Sequence, residues 1–117
     1  MTDSLKLTVD RRADVAVIYT EGYINNQGGE EIARVAYELI EQGSKVLLLN
    51  LAGTKIVNSI GISILIEIIE KMLDVDGKLA FCCLTPTIEK TFHIMGLAQY
   101  AGIYPDEMTA TTSLAPA

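Results

Sequence analysis

Three places in the chain carry side chains able to do chemistry: the segment Val57-Asn58-Ser59-Ile60-Gly61, the adjacent pair Cys82-Cys83, and His93, the only histidine. A serine between a strand and a helix invites comparison with the nucleophile elbow G-x-S-x-G, where a sharp turn exposes the attacking hydroxyl. Gly61 follows Ser59 at the right distance, but Val57 stands where the first glycine belongs. A triad would also have to take His93 as its base, with no other candidate. The chain therefore reads as a non-enzyme. Cys82-Cys83 is not a C-x-x-C couple, and one histidine with two neighbouring cysteines gives no zinc-like spacing. On a strand the two would point to opposite faces and read as core thiols. Gly28-Gly29 is only a pair, and neither a Walker loop nor a G-x-G-x-x-G fingerprint occurs. No cofactor and no metal is expected.

Ser59 has two other readings. Asn58 or Ser59 caps a helix start well, because its side-chain oxygen accepts from a free backbone N–H; that alone justifies the pair. Against it stands the pattern that follows. At about 100° per residue, Ile62, Leu65, Ile66, Ile69, Met72 and Leu73 form one apolar face, while Ser59, Ser63, Glu67, Glu70 and Lys71 lie opposite. Ile60 and Ile64 fall among the polar residues, so that side reads as a docking surface beside an exposed serine. A helix start also tolerates a dianion, through its free N–H groups and its dipole. Phosphate on Ser59 would leave the fold intact while placing nearly two negative charges in the contact surface.

The elements that must position this segment follow from periodicity. Leu5–Val9 and Val15–Tyr19 read as a hairpin around a polar turn at Arg11-Arg12-Ala13-Asp14. A helix from about Gln27 has Ile32, Val35, Ala36, Leu39 and Ile40 on one side, Glu30 and Glu31 in its first turn, and Gly43 at its end. Lys45–Leu51 and Lys78–Leu84 are short apolar runs, as strands covered on both faces are, and Ser59–Asp74 is the helix between them. Thr85-Pro86 is an N-cap with proline at the first helical position, ahead of Ile88, Phe92 and Met95; Gly96 stops that run and Ile103-Tyr104 is a last strand. Strands alternating with helices argue an α/β domain, a mixed, mostly parallel four- to five-stranded sheet with an N-terminal antiparallel strand and helices packed against it. The domain is expected over residues 1–108, with 109–117 a flexible tail.

Composition narrows the partners. The chain has 117 residues, half of them hydrophobic, so it makes one domain. Nine basic residues against fifteen acidic give a net charge of −6, which argues against nucleic acid, whose binders neutralise phosphates with Lys and Arg. The richest apolar stretch, Ile60–Ile69, is broken by Gly61, Ser63 and Glu67 and falls short of the ~18 residues of a membrane span. Met1–Leu7 lacks the basic-then-apolar order of a signal peptide. Cysteine usage fits a reducing compartment, and a cytoplasmic location without membrane insertion is expected.

In order and spacing the chain resembles the STAS domain, and within it the bacterial anti-sigma factor antagonists. The resemblance spans about Leu5 to Tyr104. It is carried by Glu21-Gly22-Tyr23-Ile24-Asn25, Val46-Leu47-Leu48-Leu49-Asn50-Leu51, Ile56-Val57-Asn58-Ser59-Ile60-Gly61, Gly77-Lys78-Leu79 and Ile94-Met95-Gly96-Leu97. It implies a phosphorylation-controlled partner switch. The unphosphorylated antagonist binds an anti-sigma factor that is also a serine kinase, and so frees a sigma factor; a metal-dependent serine phosphatase restores the active form. The family's phosphoacceptor falls on Ser59. The partner surface falls on Asn25, Asn26, Asn58, Ile60, Gly61, Ser63, Ile64 and Glu67. The chain departs from the family's Asp-Ser-Ser-Gly motif at Asn58 and Ile60, which leaves open the family's other roles, as a constitutive subunit of a signalling scaffold or of a lipid or anion transporter complex.

Overall fold

The computed structural model describes residues 5–12 and 14–115. Five strands, β1 (Lys6–Arg12), β2 (Val15–Glu21), β3 (Val46–Gly53), β4 (Lys78–Cys82) and β5 (Gly102–Tyr104), lie side by side in sequence order. Strand β1 pairs antiparallel with β2, and every later pairing is parallel. Between them run α1 (Asn26–Glu41), α2 (Ser59–Asp74) and α3 (Pro86–Ile94), and α4 (Glu107–Leu114) follows β5. The mixed sheet with its antiparallel first strand is the architecture that the alternation of patterns predicts.

Topology decides where the helices go. Parallel crossovers are right-handed, and here each step moves the chain one strand further in the same direction, so α1, α2 and α3 all land on one face. Alternate strand residues point to that face: Ala16 and Ile18, then Leu47, Leu49 and Leu51, then Leu79 and Phe81 share one core with Ile32, Leu65, Ile68, Ile88 and Phe92. Phe81 and Phe92 meet edge to face with centroids 5.0 Å apart, the geometry that ring quadrupoles favour.

That arrangement leaves the opposite face of the sheet bare, and α4 covers it. Val15, Val17, Leu48, Ala80 and Cys82 pack there with Ala110 and Leu114. The flexible tail expected from residue 109 is thus a docked helix as far as Leu114; Pro116 and Ala117 lie outside the described residues. Its apolar signal is one i,i+4 pair in a Thr-rich segment, too short for periodicity to register. Asp106 caps it by accepting from the Thr109 N–H at 2.7 Å, and that bond holds the Asp106 carboxyl below its usual range. Glu107 anchors it: Tyr19 Oη and Asn50 Nδ2 both donate to its carboxylate at 3.0 Å. Burial, then Glu107, pushes the Tyr19 phenol up, so it stays a donor.

Smaller differences have local causes. Arg11 and Arg12 extend β1 rather than forming the turn, and Ala13 lies outside the described residues, as do Met1–Ser4. Because α1 begins at Asn26, Glu30 and Glu31 lie beyond its first turn, which contains no acid. Leu73, expected in the core, is 48% exposed near the end of α2. Strand β4 stops at Cys82, and Cys83 takes a positive φ of 65°, so the two cysteines do not alternate across the sheet.

Replacing Glu107 with alanine leaves the buried side of Asn50 and Tyr19 without an acceptor. A loss of about 1–3 kcal/mol is expected, read as a lowered midpoint in urea unfolding with α4 peptides exchanging amide hydrogens fastest.

Candidate functional site

The carboxyl edge of the sheet brings two loops together, one between β2 and α1 and one between β3 and α2. They are stitched by backbone hydrogen bonds: Gly22 N–H to Gly53 O at 3.0 Å, Ile24 N–H to Ile56 O at 3.0 Å, and Asn58 N–H to Ile24 O at 3.1 Å. Ile24 and Val57 form a parallel bridge outside the main sheet. Beneath them the buried hydroxyls of Thr20 and Thr54 share a hydrogen bond of 2.6 Å, so neither is left unsatisfied in the interior.

This stitching starts α1 and α2 next to one another, and both use the same cap. Asn25 Oδ1 accepts from Gly28 N–H at 2.8 Å, and Asn58 Oδ1 accepts from Gly61 N–H at 2.8 Å. The sequence spells the cap twice, as Asn25-Asn26-Gln27-Gly28 and Asn58-Ser59-Ile60-Gly61. The glycines are steric requirements: a Cβ on Gly28 would lie 2.6 Å from Tyr23 O, and one on Gly61 would strike Ile24 O. Gly29 lets the Ile64 side chain close in, with Ile64 Cδ1 2.9 Å from where a Cβ would stand. Both caps are neutral and neither first turn holds an acidic residue, so the positive ends of two helix dipoles are left uncompensated by side chains.

Ser59 is the first residue of α2 and is exposed. Its carbonyl accepts from Ser63 Oγ at 3.1 Å. Its neighbour Ile60 is 52% exposed, a branched apolar side chain in water at the mouth of a groove of about 520 Å³ between the two helices. From α2 the groove takes Ile60, Ser63, Ile64 and Glu67; from α1 it takes Asn26, Glu30, Ala33, Arg34 and Tyr37. Burial, and then the charge of Glu67 across the groove, pushes the Tyr37 phenol up. Arg34 pairs with Glu31 at 3.0 Å and Glu38 at 3.3 Å on its own helix, exposed contacts of little energetic weight.

Of the residues expected at a contact surface, the structure brings Asn26, Ile60, Ser63, Ile64 and Glu67 to one groove, and the exposed Ser59 directly precedes Ile60 in the chain without lining it. Asn25 and Asn58 are half-buried with their Oδ1 atoms occupied, and Gly61 is buried, where its lack of a Cβ admits the backbone of Ile24. Ile64 is half-buried against Gly29 rather than free on the surface. Beyond Asn26, the sequence pattern does not announce the α1 wall, although Glu30, Ala33 and Tyr37 continue from Asn26 at helical spacing along one stripe. Only the pairing of α1 with α2 shows that the stripe has a partner. His93 pairs with Glu89 on its own helix at 3.7 Å, and no hydrogen bond joins it to Ser59 among the described residues, so no triad forms there.

The STAS domain model matches residues 6–110. The fold is also that of several solved structures. An anti-sigma factor antagonist from Mycobacterium paratuberculosis has a TM-score of 0.85 at 21% identity, over 97% of this chain and 97% of its own. A putative anti-sigma factor antagonist from Thermotoga maritima has a TM-score of 0.80 at 15% identity, over 92% and 93%. The Bacillus cell fate determinant SpoIIAA in its phosphorylated form has a TM-score of 0.74 at 19% identity, over 94% and 100%.

The caps make separable demands on stability. Asn58→Ala is expected to cost about 0.5–2 kcal/mol, whereas Asn58→Asp keeps the acceptor and holds or raises stability. Gly61→Ala is expected to cost about 1–3 kcal/mol through the forced clash with Ile24. Chemical unfolding of the three variants side by side checks the ranking.

Proposed function

The chain belongs to the STAS domain family, and on that premise we propose that it is an anti-sigma factor antagonist, a cytoplasmic partner switch rather than an enzyme, with Ser59 as the phosphoacceptor. The observation that carries this reading is the exposed Ser59 at the first position of α2, next to Ile60, which is itself exposed and lines the α1/α2 groove. Of the solved structures that share the fold, one is an anti-sigma factor antagonist, one a candidate for that role, and a third a phosphorylated cell fate determinant.

In the unphosphorylated state the partner, an anti-sigma factor that is also an ATP-dependent serine kinase, packs against Ile60, Ile64 and Tyr37. Glu30 and Glu67 rim this apolar centre, so the complementary surface carries cations. Holding the kinase there frees a sigma factor. The kinase transfers a phosphoryl group to Ser59 Oγ: the new P–O bond forms as the bond to the departing ADP breaks, and the serine proton leaves. The helix start accommodates the added charge. The partner does not, because a dianion beside Ile60 would have to be desolvated at the contact. A metal-dependent serine phosphatase hydrolyses the phosphoserine and resets the switch. Asn58 suits this cycle, since a neutral cap puts no like charge next to the phosphate.

The test compares Ser59→Ala and Ser59→Asp proteins as baits in lysate of the native cell. Capture of a histidine-kinase-like ATPase by the Ala form, weakened at least about tenfold by the Asp form, supports the switch. The unfolding midpoint of Ser59→Asp is expected to hold or rise slightly, as charge at a helix start does. Equal, stoichiometric capture of a transporter or scaffold subunit by both baits would assign the constitutive role and overturn the phosphorylation mechanism.

A further inference from the structure

Strand β4 ends on two cysteines whose geometry is not that of a strand. Cys82 keeps the pleat and is fully buried under α4, in the cluster of Val17, Leu48, Ala80 and Ala110. Cys83 takes φ 65°, a left-handed conformation that non-glycine residues adopt at a cost and that only Asn, Asp and His favour to any degree. Such strain persists where the surroundings over-determine it, and it clusters at functional positions. Its effect here is to turn Cys83 back toward its neighbour: the two sulfurs lie 3.6 Å apart, Cys82 buried and Cys83 half-buried, and neither is in a disulfide. In an extended pair they would face opposite ways.

From this geometry we infer that Cys82 and Cys83 form a redox-modification site, at which a hydroperoxide converts the neighbouring thiols to a vicinal disulfide. Cys83, the less buried of the two, attacks one oxygen of the hydroperoxide ROOH. The S–O bond forms as the O–O bond breaks, the alcohol ROH leaves, and Cys83 becomes a sulfenic acid. Cys82 sulfur then attacks Cys83 Sγ; the S–S bond forms, the S–O bond breaks, and the hydroxyl leaves as water with the Cys82 proton. Two thiols and one hydroperoxide give one disulfide, one alcohol and one water, and two electrons pass from sulfur to oxygen. Burial, then the neighbouring Cys83, pushes the Cys82 thiol up, and Glu107 and Asp106 add to it, which fits Cys82 as the second sulfur to react. The sulfurs need approach by only about 1.5 Å to reach bonding distance. A strained vicinal disulfide has a high reduction potential and is readily reversed by cellular thiols.

The site reports to α4. Cys82 lies level with Asn50 of β3, and Asn50 holds the Glu107 carboxylate at the start of that helix. Drawing Cys82 Sγ toward Cys83 withdraws it from beneath Ala110, so the oxidised protein holds α4 less firmly.

The experiment treats the reduced, full-length protein with hydrogen peroxide, then blocks free thiols with iodoacetamide under denaturing conditions. Trypsin cuts after Lys78 and Lys90 and yields one peptide with both cysteines. The expected product is monomeric protein whose peptide is unalkylated and lighter by two hydrogens, restored to the doubly alkylated form by dithiothreitol. In Cys82→Ala the reaction is expected to stop at a Cys83 sulfenic acid that dimedone labels. Amides of α4 are expected to exchange at least about tenfold faster in the oxidised protein. Thiols that remain alkylatable after peroxide treatment, oxidation ending in disulfide-linked dimers, or Cys83 running on to sulfinic acid without a disulfide would each overturn the inference. Unchanged exchange in α4 would overturn its coupling to the helix.

Discussion

Everything at the candidate site depends on the backbone of Ile24. Its N–H donates to Ile56 O and its carbonyl accepts from Asn58 N–H, so one residue ties the loop that opens α1 to the loop that opens α2. Ile24 is itself fully buried, and the carbonyl that fixes the loops is the atom that forbids a Cβ at Gly61. Backbone groups buried here must be paired, and pairing them leaves the two helix starts no freedom to separate. The Asn caps follow from this constraint, since each satisfies an orphan N–H that the stitched loops leave uncovered.

The same economy governs the sheet. Strands in sequence order with right-handed crossovers put three helices on one face, which is why α1 and α2 are neighbours with a groove between them. It is also why the other face needs a separate cover. An eight-residue helix with two buried side chains would not hold by apolar burial alone, because isolated helices of that length are unstable. The polar clasp of Glu107 with Tyr19 and Asn50 supplies what its small apolar face lacks.

What could be read from the sequence divides along these physical lines. Strands and helices with strong periodicity were legible: the boundaries expected for α2, Ser59 to Asp74, coincide with those observed, because its cap, apolar face and following glycine agree. Ile60 was legible as an apolar residue out of place. The α1 wall of the groove was not, since Glu30, Arg34 and Tyr37 look like an ordinary solvated face until α2 is set beside them. Nor was α4, whose stabilising groups come from β2 and β3, far away in sequence. The turn at Cys83 is hidden for a different reason: nothing in its residue type announces a left-handed backbone, and it lies where the chain leaves β4 shortly before the Thr85 cap of α3.

Rigidity and exposure are distributed so that a charge at Ser59 would alter contact rather than fold. The atoms that hold α2 in place are backbone groups of Ile24, Ile56 and Asn58 together with the Asn58 side chain, none of which involves the Ser59 hydroxyl. The side chains around that hydroxyl, Ile60 and Ser63, are exposed and contribute little to the core. A phosphate there would meet a dipole end uncompensated by acidic side chains on its own protein, but an apolar contact on any partner that covered Ile60. The same two charges would therefore be tolerated in the free state and opposed in a bound one. That difference between states is the condition any ligand or modification must meet to shift an equilibrium.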